Sequence, residues 1–225
     1  AIGYETLDAN QTSDYNTAVG YQALSAVNGD GDGGNTAVGF KAGLVVTSGT
    51  YNTLIGRTAG LAIAGGAGNT VMGGEALVGG DDNVIIGKQA GVSTTAGTNM
   101  VIIGKGAGGA NITADAAGTV ALGFESCKEL TTGANNTALG YRALKTNVDG
   151  SYNTAVGREA LETYEAGSGG QGNNTAVGYH SLQQTTTGEG NVGLGAYSGL
   201  YNTSGTAGVF IGYEAGKGIT GTKLT

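Results

Sequence analysis

The segment Asn-Thr-Ala-Val-Gly occurs at residues 16–20 and returns at 35–39, 153–157 and 174–178, with Asn-Thr-Ala-Leu-Gly at 136–140. Aligned on the closing glycine, the chain divides into thirteen repeats, at Gly3, Gly20, Gly39, Gly56, Gly73, Gly87, Gly104, Gly123, Gly140, Gly157, Gly178, Gly195 and Gly212. Eight of the twelve spacings are 17 residues, and the departures are 14, 19 and 21. A short unit written this often codes a solenoid, because one unit cannot bury its own apolar face and must stack on its neighbours. The copies leave no room for a separate globular domain, so residues 1–225 read as a single repeat domain. The opening AIGYETL lies inside a repeat, and the chain reads as a piece of a longer fibre.

The columns of the alignment specify the local structure. One place before the glycine every residue is aliphatic, including Val19, Val38, Ile55, Ile86, Ile103, Leu139, Val156, Val177 and Ile211. Three places before it the residue is Thr or Val, and β-branched side chains favour extended backbone. Between them stand Ala18, Ala37, Ala138, Ala155 and Ala176, replaced by Leu54, Val71, Ile85, Ile102, Gly193 or Phe210 elsewhere. Neighbours in a strand face opposite sides. Both faces of this strand are therefore apolar or small, and such a strand is normally covered on both faces. These two columns are the expected core and interface positions. The reading is an all-β parallel solenoid of about 13 coils with a rod length of roughly 58 Å. A coil of 17 residues has contour for two short strands and two bends. Helices are not expected, since few stretches escape glycine for ten residues.

Four places before the glycine stand Asn16, Asn35, Asn52, Asn69, Asn136, Asn153 and Asn174, with Asn83 and Asn191. Asn accepts left-handed backbone and bonds its own turn, and stacked amides can form a ladder. After the glycine comes an aromatic or basic column, then a polar column that holds His180, then Ala or Ser. A column of Leu or Gly follows, and Cys127 falls in it, which predicts a buried thiol. The segments between repeats, such as KTNVDGSY at 145–152 and VVTSGTY at 45–51, read as turns. The long steps from Gly20, Gly104 and Gly157 are expected to loop outward.

Composition removes several function classes. Glycine supplies 47 of 225 residues and proline none, so this is not collagen, which needs both in a fixed period. Proline's absence suits interior strands, where it would delete a ladder hydrogen bond. A formal charge of −7 argues against a nucleic-acid partner, which needs a basic face. No apolar run is long enough for a helical membrane span, so no membrane insertion is expected in this segment. With one cysteine there is no internal disulfide.

Little in the sequence points to catalysis. His180 is the only histidine and falls in the polar column, so it reads as solvent-facing, and triads or histidine metal clusters are excluded. The carboxylates are scattered. A glycosidase would need two of them flanking one groove. The stretch NGDGDGG at 28–34 places Asp30 and Asp32 among glycines, the chemistry of a hard-cation loop, but a repeat-type Ca²⁺ motif would recur in neighbouring coils and this one does not. Asp30 and Asp32 are the metal candidates the sequence offers. No cofactor is expected, and the chain reads as a non-enzyme.

NTAVGYQAL and its copies resemble two related families: the repetitive segments of phage tail-fibre proteins, and the head repeats of trimeric autotransporter adhesins. The resemblance spans the whole chain at the level of the Asn-Thr-small-aliphatic-Gly core. The adhesin head repeat is shorter, and only the step from Gly73 to Gly87 comes down to its length. The resemblance implies a left-handed β-roll packed as a homotrimer, placed outside the cell on a virion appendage or a cell surface. The function expected from it is a structural segment of an attachment fibre, with a phage tail fibre first and a bacterial adhesin head second. The contrasting class is a carbohydrate-cleaving tail spike. A cell-surface glycan or receptor is the partner such a fibre would meet.

Overall fold

A computed structural model describes residues 1–220 except 30, 78, 93, 95 and 167–169. It is an all-β parallel solenoid of about 11 turns. Twelve three-residue strands, from Thr17–Val19 and Thr36–Val38 at one end to Val192–Leu194 and Val209–Ile211 at the other, stack in chain order into one sheet. The register carries each column onto itself: Thr137 pairs Thr154, Ala138 pairs Ala155 and Leu139 pairs Val156. The first repeat adds only an isolated bridge, Ile2 to Val19, so the turn count falls short of the thirteen aligned glycines. At about 4.8 Å per step the sheet is roughly 53 Å tall.

Each coil carries one such strand rather than the two its contour allows. The reason lies in the residues after the strand. Left-handed backbone recurs at every second position, as at Gln22 (φ 53°) and Leu24 (φ 49°), or Arg142 (φ 54°) and Leu144 (φ 50°). Extended geometry cannot form there. The coils still bond to one another along this side, with Gln22 N–H donating to Tyr4 O at 2.9 Å and Leu24 N–H to Ala42 O at 3.0 Å. Among the described residues a second pairing appears as the two-residue match of Ser13–Asp14 with Gly31–Asp32 and as the isolated bridge of Ser151 with Gln171. The step from Gly104 holds a single 3₁₀ turn, Ala114–Ala116.

The core is built from four columns. The strand centres are buried, as at Ala18, Leu54, Ile85, Ile102 and Ala155. So is the Ala or Ser column (Ala23, Ala143, Ser181) and the Leu or Gly column (Leu24, Leu144, Cys127). Burial pushes the Cys127 thiol up to about 12, which makes it inert packing. The fourth column lies seven places after the aligned glycine: Val27, Val46, Ile63, Leu130, Asn147, Tyr164, Thr185 and Asn202, all buried. This corrects the reading of the inter-repeat segments as plain turns. Val46 and Asn147 sit inside the stretches assigned to turns, yet both are fully buried. Asn147 is admitted because its amide closes a local turn with Gly150, donating to its carbonyl at 2.8 Å and accepting its N–H at 3.0 Å.

Volumes in the core compensate across columns. Where the strand centre is Ala, as at 18, 138, 155 and 176, the later column supplies Leu24, Leu144, Leu161 and Leu182. Where the strand centre is large, as at Leu54, Ile85, Ile102 and Phe210, the later residue is Gly60, Gly91, Gly108 or Gly216. Two coils pair small with small, Ala37 with Gly43 and Gly193 with Gly199. Side chains from the adjacent coils fill them: Leu24 and Leu54 crowd Gly43, and Leu182 and Phe210 crowd Gly199. Close packing is conserved over three coils rather than within one.

Candidate functional site

The same strand that buries Ala155 turns Thr154 and Val156 outward. The sheet therefore has two unlike faces. Its inner face is sealed. Its outer face presents the Thr/Val column and the aliphatic column side by side over the height of the rod, with no covering element among the described residues. Val19, Ile55, Ile86, Ile103, Leu139, Val156 and Val177 are half-buried, and Val38, Leu122, Leu194 and Ile211 are exposed, Leu194 by 47% and Ile211 by 64%. A contiguous apolar stripe of this length is unusual on a monomer.

One margin of the stripe is lined by the column after the glycine. Tyr4, Tyr21 and Phe40 stack with centroids 5.6 and 5.3 Å apart, and Phe124 stacks on Tyr141 at 5.3 Å. These spacings follow the coil pitch, so the ladder is a direct product of register. Cations interleave with it: Lys41 lies over Phe40, and Arg142 and Arg158 lie over Tyr141. His180 belongs to this cluster, and its expected exposure is corrected here. Its ring lies 3.9 Å from the Tyr179 centroid and 5.4 Å from that of Tyr197, with Nε2 2.7 Å from Glu159 Oε2. Packed against these groups, the His180 side chain is only 18% exposed. Position in a polar column could not reveal that.

The Asn column forms a continuous ladder in two runs. In each step the upper residue's backbone N–H and side-chain amide both donate to the Oδ1 of the Asn below, as in Asn52 to Asn35 at 3.0 and 3.0 Å and Asn153 to Asn136 at 2.9 and 3.1 Å. Most of these amides also reach a glycine carbonyl, for example Asn174 Nδ2 to Gly188 O at 2.9 Å, whereas Asn16 and Asn153 reach the carbonyls of Ser13 and Ser151. The runs are Asn16–Asn35–Asn52–Asn69–Asn83 and Asn136–Asn153–Asn174–Asn191, separated by Met100 and Thr119 at the equivalent places. Most of these amides are fully buried, so their polar groups need these partners. The left-handed residue at this corner is not the ladder Asn but the one before it, Tyr15, Tyr51, Asn135, Tyr152 or Asn173.

Charge is divided between two edges. Every lysine and arginine of the described residues lies within five places after an aligned glycine. The opposite, inter-repeat edge carries Asp14, Asp32, Asp81, Asp82, Asp115, Asp149, Glu165 and Glu189 and no described base. Asp32 is exposed and pairs in strand register with Asp14, while Asp30 lies outside the described residues. No group of three or more His, Cys, Asp or Glu that could hold a metal ion occurs among the described residues. Glu165 is held at about 7, chiefly by burial and then by its hydrogen bond and charge contact with Asp149, against the opposing pull of the Val148 N–H it accepts at 3.0 Å. Glu125 is shifted the other way. Lys128 at 2.8 Å and Arg142 at 3.0 Å both bond its carboxylate and hold it below the ordinary range.

Comparison with protein-family models, with curated proteins and with solved structures gives no match.

Proposed function

We propose that this chain is a rigid structural segment of an extracellular homotrimeric fibre, of the kind that phage tail fibres use to hold an attachment apparatus against a host surface. The observation that carries the reading is the uncovered apolar outer face. A solenoid whose coils are already sealed inside has no use for Val156, Leu194 and Ile211 on its outside unless another surface covers them. A second and third copy of the same chain supply a surface of matching length and pitch. Closed cyclic packing hides the stripe on every copy and leaves no free face to polymerise sideways. The number three comes from the resemblance to tail-fibre and adhesin repeats, and the need for cover comes from the geometry.

A structural role also fits the carboxylates. On the acidic edge Asp149 and Glu165 are in direct hydrogen-bond contact. Glycoside hydrolysis by two carboxyl groups needs them about 5 Å or more apart, with the sugar bond between. Sedimentation equilibrium of the soluble rod tests the proposal. The expected mass is three times 21.9 kDa. A chain that stays monomeric at micromolar concentration overturns it.

A further inference from the structure

The polar column on the post-glycine edge lacks a side chain at one place, Gly106. In the coil of Gly104 the aromatic column holds Lys105, and the polar column holds Gly106 where neighbouring coils place Gln89 and Glu125. The gap is a pocket of about 250 Å³, lined by Gln89, Lys105, Gly106, Phe124, Glu125 and Lys128 among others. Phe124 stacks on Tyr141 in the coil above, the Lys105 ammonium lies over its ring 5.8 Å from the centroid, and the ring lines the pocket beside the space that a side chain at Gly106 would take. Glu125 is already bonded to both Lys128 and Arg142. Lys105 forms no ion pair with a carboxylate among the described residues. The pocket therefore carries excess positive charge in a chain whose net charge is −7.

We propose that this pocket binds a single carboxylated sugar residue, with the pyranose ring filling the space left at Gly106 against Phe124 and its carboxylate meeting Lys105 and Lys128. One coil adds about 4.8 Å of height, which leaves room in the vacated place for one ring. The C–H face of a sugar is electropositive and complements the ring's negative face. A carboxylate bonded to ammonium groups is the stronger, charge-assisted contact, and it selects an acidic sugar over a neutral one. Gln89 and the Gly106 backbone offer polar groups to the hydroxyls. The volume lies at the small end for ligand pockets and suits one residue rather than an oligosaccharide. The proposal deepens the attachment reading, which supplies the source of such a sugar in a surface glycan, but the pocket is tested directly and on its own.

The experiment is a titration of the rod with methyl β-D-glucuronide and, separately, with methyl β-D-glucoside, followed by ligand-observed and calorimetric measurements. A ligand of this size should bind with a Kd of about 1 mM. The glucuronide is expected to bind about tenfold more tightly than the glucoside. Gly106→Gln restores the side chain that other coils carry. The left-handed backbone there (φ 66°) is one that Gln89 and Glu125 already adopt in the same column, and a Cβ meets only Glu125 Cγ at 3.8 Å. This variant should keep its Tm and weaken glucuronide binding by about tenfold or more. Lys105→Gln should weaken it comparably, whereas Lys41→Gln, a lysine over Phe40 in a coil with no gap, should leave it unchanged. Absence of saturable binding, equal affinity for the two sugars, or full binding by Gly106→Gln overturns the proposal. Failure of the fibre reading would show instead as a monomer in sedimentation, with the titration unaffected.

Discussion

The column of aligned glycines combines positive φ with close approach to the next coil's backbone. Gly140 has φ 145°, and a Cβ built there would run into the carbonyl oxygen of Gly157 in the next coil. Strain and collision act together, so Gly140→Ala should cost about 3 kcal/mol or more, read as a fall in Tm and in the urea midpoint. The Asn ladder predicts a second loss. Asn153 Oδ1 accepts the backbone N–H of Asn174 at 3.2 Å and its amide at 3.3 Å. Asn153→Ala leaves those buried donors without that acceptor, at about 1–3 kcal/mol for each one orphaned. Glu165 predicts a pH effect of definite sign. Its value is raised from 4.5 to about 7 in the folded chain, so the fold binds that proton more tightly than the unfolded chain does. The stabilisation is complete below about pH 4.5 and is lost as pH rises through about 7. Wild-type Tm should therefore fall between pH 5 and 8. Glu165→Gln can still accept the Val148 N–H, and it should flatten that slope and raise Tm at pH 8.

At the scale of one coil, the controlling quantity is interior volume. Ala155 with Leu161 and Leu54 with Gly60 are two solutions to the same space. Leu161 accepts a left-handed backbone (φ 49°), a conformation that costs a non-glycine residue about 1–3 kcal/mol, and burial of its side chain offsets this. Leu161→Ala should destabilise by about 2–5 kcal/mol through the cavity it leaves. Ala155→Leu alone should overpack the coil at a cost of about 1–3 kcal/mol. The double variant Ala155→Leu with Leu161→Gly recreates the Leu54–Gly60 arrangement and should recover most of both losses. A thermodynamic cycle through Ala155→Leu, Leu161→Gly and the double variant measures that coupling, and strict additivity would contradict volume compensation.

At the scale of the whole rod, the two faces of one strand should fail in different ways. Ala155 is fully buried inside the roll, and Val156 is half-buried on the outer stripe. Ala155→Asp places an unpaired charge in a dry core, which the fold cannot absorb, and loss of the β-sheet circular dichroism signal is expected. Val156→Asp leaves the roll intact and spoils only its cover, so the signal should persist while the mass by sedimentation drops to one chain. Unchanged mass in Val156→Asp would mean the stripe is not the contact between copies. The stripe, the aromatic ladder and the acidic edge all arise because a single register is propagated from coil to coil; each column becomes a line on the surface.

The repeat in the sequence determines the strand, the parallel register and the stacking order. Thr154, Ala155, Val156 and Gly157 recur at nearly fixed spacing, and in-register stacking is the only arrangement that sets every such copy on its like. The Asn ladder was legible for the same reason. Tertiary structure alone decided which face is inside. Both faces of the strand are apolar or small, so pattern could not choose; the coil closes on the side of Ala155, because the left-handed backbone at Glu159 and Leu161 folds the chain back over it. Closure also drew in Val46, Asn147 and Tyr164 from segments composed like turns, and it laid His180 between two tyrosines. It opened a pocket at Gly106, where one absent side chain matters only because Gln89 and Glu125 stand directly below and above it. Periodicity is a property of neighbours along the chain, whereas burial and vacancy are properties of neighbours across coils.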